Sequence, residues 1–328
     1  MKTGPSIHWI SRTGIHEHSV EEIRVLLRRR QGFLWVDLPA IGDEEARLLH
    51  ETLGLDAVTL QQARELSLVP RLRRATDHIF LSLHSLDSDR HLIEIGQFVG
   101  PRFLVTTHAV RDRSMSQDEM LRETKHVRER IEQGHFLPKS PVELSVAIVT
   151  GIARRLEEFL GDIAAAAGSL DRRMREGKTG KQQDFLEEVY RVRHELITVR
   201  NRAAQNKAAC ARTAEVAGDI VPGSVDPFQE LAVRLDRLGS LCDGEREFLQ
   251  DLLDFYGSVL TAKMNIAMER LALIVVLLAP TTIATGIYGM NIVGLPGQSE
   301  ALTLVWILSV IVAASVALAI WAKRQGWL

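Results

Sequence analysis

Apolar residues recur at helical spacing from Phe228 onward, and no proline interrupts them before Pro280. Leu231, Leu235, Leu238, Cys242, Leu249, Leu252, Tyr256 and Val259 step by three and four residues, with one gap at Glu245. Such spacing predicts a helix-packing seam. A second stripe runs through Asp254, Ser258, Thr261, Asn265, Met268, Leu271, Val275, Ala279, Thr282 and Gly286. It lies nearly opposite the seam and is polar at its start, apolar in the middle and small at its end. The pattern predicts one helix over residues 228–291, about 95 Å long at 1.5 Å per residue. That is far longer than a bilayer core, so the helix is expected to leave the membrane as a stalk over 221–270 and to cross as a first span over 271–291. The apolar run at 271–287 is short for a span. A second run, 302–322, carries no charge and is long enough to cross with some tilt.

Upstream the periodicity changes. Residues 1–135 read as an α/β domain, with strands predicted at 33–38, 78–86, 92–99 and 103–107 between polar or Gly-Pro turns. Helices are predicted at 19–30, 43–52, 57–65 and 112–132. Residues 136–220 read as a helical hairpin, with helices over 141–175 and 181–213 and a turn at Gly177, Lys178, Thr179 and Gly180. That Gly-Lys-Thr is not a phosphate loop: Arg172 stands where the loop's first glycine belongs, and no strand precedes it. Pro222 and Gly223 mark the break before the stalk.

Charge and composition narrow the function. The net charge of −2 gives nucleic-acid binding no electrostatic support. Two cysteines, Cys210 and Cys242, are too few for a disulfide framework. None of His16, His18, His84, His91 and His108 falls in the spacing of a zinc ligand set. No catalytic constellation stands out, so an enzyme is not expected, and no resident cofactor is called for. Lys263 and Arg270 precede the first span, Lys323 and Arg324 follow the second, and the outer loop 292–301 has no basic residue. By the positive-inside rule both termini, including the basic tail 323–328, are cytoplasmic, which puts the chain in the cell (inner) membrane as a multi-pass protein. From Asp226 to Asp254 eight acids face three arginines, a field that attracts cations. Two spans cannot enclose a pore, so self-association round an axis is expected.

Tyr288, Gly289, Met290 and Asn291 close the first span. With two C-terminal spans and the terminal Lys-Arg-Gln-Gly-Trp-Leu, they resemble the CorA family of divalent-cation channels. The resemblance implies an α+β cytoplasmic domain, a long stalk helix and two transmembrane helices in a homopentameric funnel. It implies passive transport of Mg²⁺, and of Co²⁺ and Ni²⁺. It carries the selectivity filter to Gly289, Met290 and Asn291, whose oxygens suit a cation that keeps its waters. It carries pore positions to Asn265, Met268, Leu271, Thr282 and Gly286, with Met268 and Leu271 as an apolar gate, and an acidic ring to Asp254. Ala279 departs from the pattern, where a bulkier side chain is usual.

The family's regulatory Mg²⁺ site pairs a stalk acid with an acid of the neighbouring α/β domain. Glu230 matches the first, but Gln61 and Gln62 replace the second, and an amide is a weaker ligand for a hard cation. Weaker Mg²⁺ inhibition is therefore expected. The loop residues Gly294, Leu295, Pro296 and Gly297 look more like the ZntB branch, which implies the alternative of a Zn²⁺ transporter, proton-coupled in one version. A membrane tether that transports nothing is the third reading.

Overall fold

The computed structural model describes residues 4–111, 115–218, 220, 224–289 and 301–324. They form two compact units, residues 1–249 and 250–328. The first is built on seven strands: β1 (Ser6–Ser11), β2 (Gly14–His18), β3 (Phe33–Leu38), β4 (Leu72–Arg74), β5 (Ile79–Leu86), β6 (Leu92–Val99) and β7 (Phe103–Val110). They lie in the order β2-β1-β3-β7-β6-β5-β4, and only β3 and β7 run parallel. Strand alternation splits the sheet into two faces. Ile7, Trp9, Leu34, Val36, Leu38, Phe80, Phe98, Phe103 and Val105 point to one face. There they join Ile23 and Leu26 of α1 (Ile23–Leu26), Leu49 and Leu53 of α2 (Asp43–Leu53) and Leu60 and Ala63 of α3 (Ala57–Ala63).

The other face mixes buried apolar side chains such as Leu81, Leu83, Ile95 and Leu104 with buried polar ones, and helices cover it. These are α5 (Arg122–Glu132), after the single turn α4 (Gln117–Met120), then α6 (Pro141–Arg175) and α7 (Gln182–Ala217). Buried polar groups need partners, and most find them across this layer. Trp35 Nε1 donates to Thr106 Oγ1 at 3.1 Å, Thr106 donates to Asp37 at 2.6 Å, and His108 Nε2 meets Asp37 at 3.0 Å. Asp37 is held below the usual carboxylate range by the charge and hydrogen bond of His108 and the hydroxyl of Thr106, although burial opposes them. Ser145 of α6 donates to Gln97 at 2.5 Å. Asn206 of α7 closes the backbone of β5 at His84, accepting from its N–H at 2.9 Å and donating to its carbonyl at 2.8 Å. His84 lies beyond the reach of β4, so Asn206 stands in for a missing neighbour strand.

Ser140 caps α6 by accepting from the Glu143 N–H, and Pro141 occupies its first turn, where a missing donor costs nothing. Helices α6 and α7 share one compact unit with the sheet. The helix expected at 19–30 is shorter: a 3-10 turn at Val20–Glu22 and α1 ending at Leu26. The Arg102 guanidinium takes the carbonyls of Leu27 and Arg29 beyond that end.

Candidate functional site

Helix α8 (Val225–Gly289) is 65 residues long and contains Pro280. Among the described residues, Val225–Ile287 is the one stretch found long and apolar enough to cross a membrane. The predicted seam is buried: Leu231, Leu235, Leu238, Cys242, Leu249, Leu252 and Tyr256 are all covered, and Val259 is half-buried. Burial pushes the Cys242 thiol up to about 11 and that of Cys210 to about 12, so neither is a ready metal ligand.

The second stripe is uncovered. Met268, Leu271 and Val275 are 53%, 62% and 60% exposed, and Asp254, Ser258, Thr261, Asn265, Thr282 and Gly286 are exposed as well. Ala279 alone is half-buried. In residues 250–324 burial falls elsewhere. Leu273 is 6% exposed, and Leu277, Pro280 and Ala284 are half-buried. At about 100° per residue these four lie roughly opposite Leu271, Val275, Thr282 and Gly286. Helix α9 (Ala301–Arg324) meets that covered face, where Ser315 Oγ donates to the Leu277 carbonyl at 3.4 Å.

The hydroxyl members of the stripe share one geometry. Ser258 Oγ donates to the Asp254 carbonyl at 3.0 Å, Thr261 Oγ1 to the Gly257 carbonyl at 3.0 Å and Thr282 Oγ1 to the Leu278 carbonyl at 3.0 Å. Thr285 does the same one turn above Thr281, at 2.9 Å. The Asp254 carboxylate accepts from the Gln250 amide at 3.2 Å and is otherwise open. Sequence reasoning found these positions but not the direction of their protons.

The acidic count of the stalk shrinks on inspection. Arg200 of α7 holds Asp243 through two bonds of 2.6 and 3.2 Å, and Lys207 holds Asp236 at 2.6 Å. The Arg200 hydrogen bond keeps the Asp243 carboxyl below its ordinary range. Two of the eight acids are thus spent on the chain's own helices. Arg234 is likewise engaged, bidentate to Glu157 of α6 at 2.8 and 2.7 Å.

Glu230 is exposed on α8 and Gln62 half-buried on α3, and among the described residues no hydrogen bond joins them. Gly289 is the last residue of α8 and is exposed. Met290, Asn291 and the loop to Glu300 lie outside the described residues. One group of metal-capable side chains went unnoticed in the sequence. Asp87, Asp89 and His91 offer ligand atoms within 4.8 Å of one another in the β5–β6 hairpin. Its signal is the alternation Asp-x-Asp-x-His, which a search for paired histidines or cysteines passes over.

The model of the CorA-like Mg²⁺ transporter protein matches residues 30–324. The zinc transport protein ZntB of Pectobacterium atrosepticum is 24% identical over 304 residues, 90% of this chain and 88% of that one. The cobalt/magnesium transport protein CorA of Methanocaldococcus jannaschii is 21% identical over 298 residues, 90% of this chain and 91% of that one. The solved structure of the CorA magnesium transporter from the same organism matches with a TM-score of 0.82 at 18% identity, covering 100% of both chains. At that identity the likeness establishes the fold.

Proposed function

The chain belongs to the family of CorA-like Mg²⁺ transporter proteins, and we propose on that premise that it is a membrane transporter passing divalent metal cations along the open stripe of α8. The observation that carries this reading is the contrast on α8. From Leu273 to Ala284 the face opposite the stripe is covered, and from Thr261 to Ala272 all faces are exposed, while the stripe from Asp254 to Gly286 is open throughout with only Ala279 half-buried. Several copies placing these stripes round one axis would line a conduit. Closed symmetry is the natural arrangement, and the resemblance points to five copies.

Each stripe residue then has a role. Asp254 concentrates cations at the cytoplasmic end. Asn265, Ser258 and Thr261 face a hydrated ion. Met268, Leu271 and Val275 form an apolar constriction that gates by dewetting. Ala279, Thr282 and Gly286 line a wider section below a filter of Gly289, Met290 and Asn291. Crossing of the bilayer by both α8 and α9 would put both termini on one side, which Lys263, Arg270, Lys323 and Arg324 mark as the cytoplasm. A potential of 100 mV supplies roughly 4.6 kcal/mol for a divalent ion moving inward, so no ATPase is required. Glu230 and Gln62 would weakly bind a regulatory Mg²⁺ between copies.

Mg²⁺ is the first candidate cargo, with Co²⁺ and Ni²⁺ beside it. Zn²⁺ is the second, favoured by similarity to a protein named for zinc transport and by the loop residues Gly294, Leu295, Pro296 and Gly297. Flux into liposomes holding the purified protein, with each of the four cations and with or without a pH gradient, tests both. Transport of none of them refutes the proposal. Zn²⁺ flux that follows the proton gradient selects the second cargo.

A further inference from the structure

The turn between β5 and β6 gathers Asp87, Asp89 and His91, whose ligand atoms lie within 4.8 Å of one another. Asp87 Oδ2 and His91 Nδ1 are 3.0 Å apart. Neighbouring ligands on an ion bound at about 2.1 Å stand about 3 Å from each other, so this pair is already spaced for one ion. Asp89 and His91 are exposed, whereas Asp87 is only 6% exposed. The group is thus open to solvent on one side and anchored on the other.

It differs from a chance cluster of surface acids in two ways. A buried charge needs an opposite charge or a metal, and Asp87 lacks a permanent one. Among the described residues its one ion-pair partner is His91, which is charged only when protonated, and no lysine or arginine pairs with it. The nearby arginines are engaged elsewhere: Arg90 meets Glu195 of α7 at 3.4 Å, and Arg155 of α6 meets Glu119 of α4 at 3.3 Å. The turn is also fixed from outside. Ser88 donates its N–H and its hydroxyl to Glu119 Oε1 at 2.7 and 2.6 Å, and the Arg90 guanidinium lies 4.1 Å over the Phe159 ring of α6. The residues between the ligands are held by α4, α6 and α7, so little ordering remains to be done when an ion arrives.

The donor set selects the ion. Two carboxylate oxygens and one imidazole nitrogen suit Zn²⁺, Co²⁺ and Ni²⁺, whereas Mg²⁺ prefers oxygen alone. With its proton on Nε2, the His91 ring offers the Nδ1 lone pair. We infer that this turn binds one transition-metal divalent cation per chain through Asp87, Asp89 and His91, with water completing the shell. Such a site registers Zn²⁺, Co²⁺ or Ni²⁺ in an excess of Mg²⁺. It uses no residue of the α8 stripe and does not depend on which cation that stripe passes.

The test uses the full-length protein in detergent, free of any histidine tag. Co²⁺ is titrated in excess Mg²⁺ and followed by its visible absorption, and Zn²⁺ is then titrated against it. Saturation at one Co²⁺ per chain, reversed by Zn²⁺, is expected. His91→Ala and Asp89→Asn, both at exposed positions, should each weaken binding by about tenfold or more, and the control His135→Ala, at another exposed histidine, should not. Thermal melts verify that each variant is folded. Absence of a saturable Co²⁺ spectrum overturns the inference, as does binding that His91→Ala and Asp89→Asn leave unchanged. Release of Co²⁺ by Mg²⁺ as readily as by Zn²⁺ also overturns it, because the imidazole then contributes nothing. A chain that transports nothing in liposomes can still pass this test, and one that transports can fail it.

Discussion

In residues 1–249 the chain closes on itself. Leu231, Leu235 and Leu238 of α8 are buried, and the ion pairs Arg200–Asp243 and Arg234–Glu157 tie its charges to α7 and α6. In residues 250–324 the same helix leaves Met268, Leu271, Val275 and Leu278 more than half exposed, and α9 leaves Val305, Trp306 and Val312 so. Large apolar surface left open by one chain marks contact with lipid or with another copy. The first unit has a core of its own, whereas the second leaves apolar surface for an environment that the single chain does not supply.

Substitutions can break that contrast, and the largest effect is expected at its end. Asn291→Ala should reduce divalent flux in liposomes to background with the fold intact by circular dichroism, and undiminished flux would remove the residue from the filter. Next, Leu235→Ala in the buried seam should cost about 2–5 kcal/mol of stability, read as a fall in Tm, while Leu271→Ala on the open stripe should leave Tm nearly unchanged. Equal effects at both sites would dissolve the distinction.

Acid should act on the closed unit. Burial and the nearby Arg128 guanidinium push the His8 imidazole down to about 4. The fold therefore holds the neutral ring. Its contribution is complete above the unfolded value near 6.5 and is lost as pH falls from there through about 4, a loss of roughly 3 kcal/mol. His8→Gln should flatten the Tm profile across that window. A profile as steep as that of the unmodified protein would place the acid sensitivity elsewhere.

Two smaller effects concern the open stripe. Leu271→Ser should raise flux by a few fold by wetting the constriction. Asp254→Asn should lower it by about two- to fivefold at low ionic strength and less at high salt, where the attraction is screened. Salt-independent loss at Asp254 would assign it a contact rather than a field.

The sequence was most legible where periodicity was strong and local. Strand β6 and helix α6 fall at the expected residues, 92–99 and 141–175. The stripes of α8 were legible because a helix repeats its faces without help from other elements. Strands β1, β2 and β4 went unseen. β2 reads Gly-Ile-His-Glu-His, with one apolar side chain, and is a strand because β1 pairs with it from Ile7 to Ser11. β4 has only three residues and exists through β5. The early end of α1 depends on Arg102, more than seventy residues away. Counting acids on the stalk overstated its field, because Arg200 and Lys207 belong to another helix. On α8 the spacing of the stripe was visible, but the orientation of a hydroxyl depends on backbone carbonyls that no side-chain pattern reveals.

That orientation has a consequence for the sign of ion that the proposed path would accept. Ser258, Thr261 and Thr282 each spend their single proton inward on their own helix. What they turn outward is lone pairs alone. Water molecules clustered round a positive ion point hydrogens away from it and find acceptors waiting at these three hydroxyls, whereas chloride, surrounded by water facing the other way, finds no donor in them. Discrimination against anions would then persist even after the acid at the entrance is neutralised, because it is written into hydroxyl rotamers rather than into formal charge.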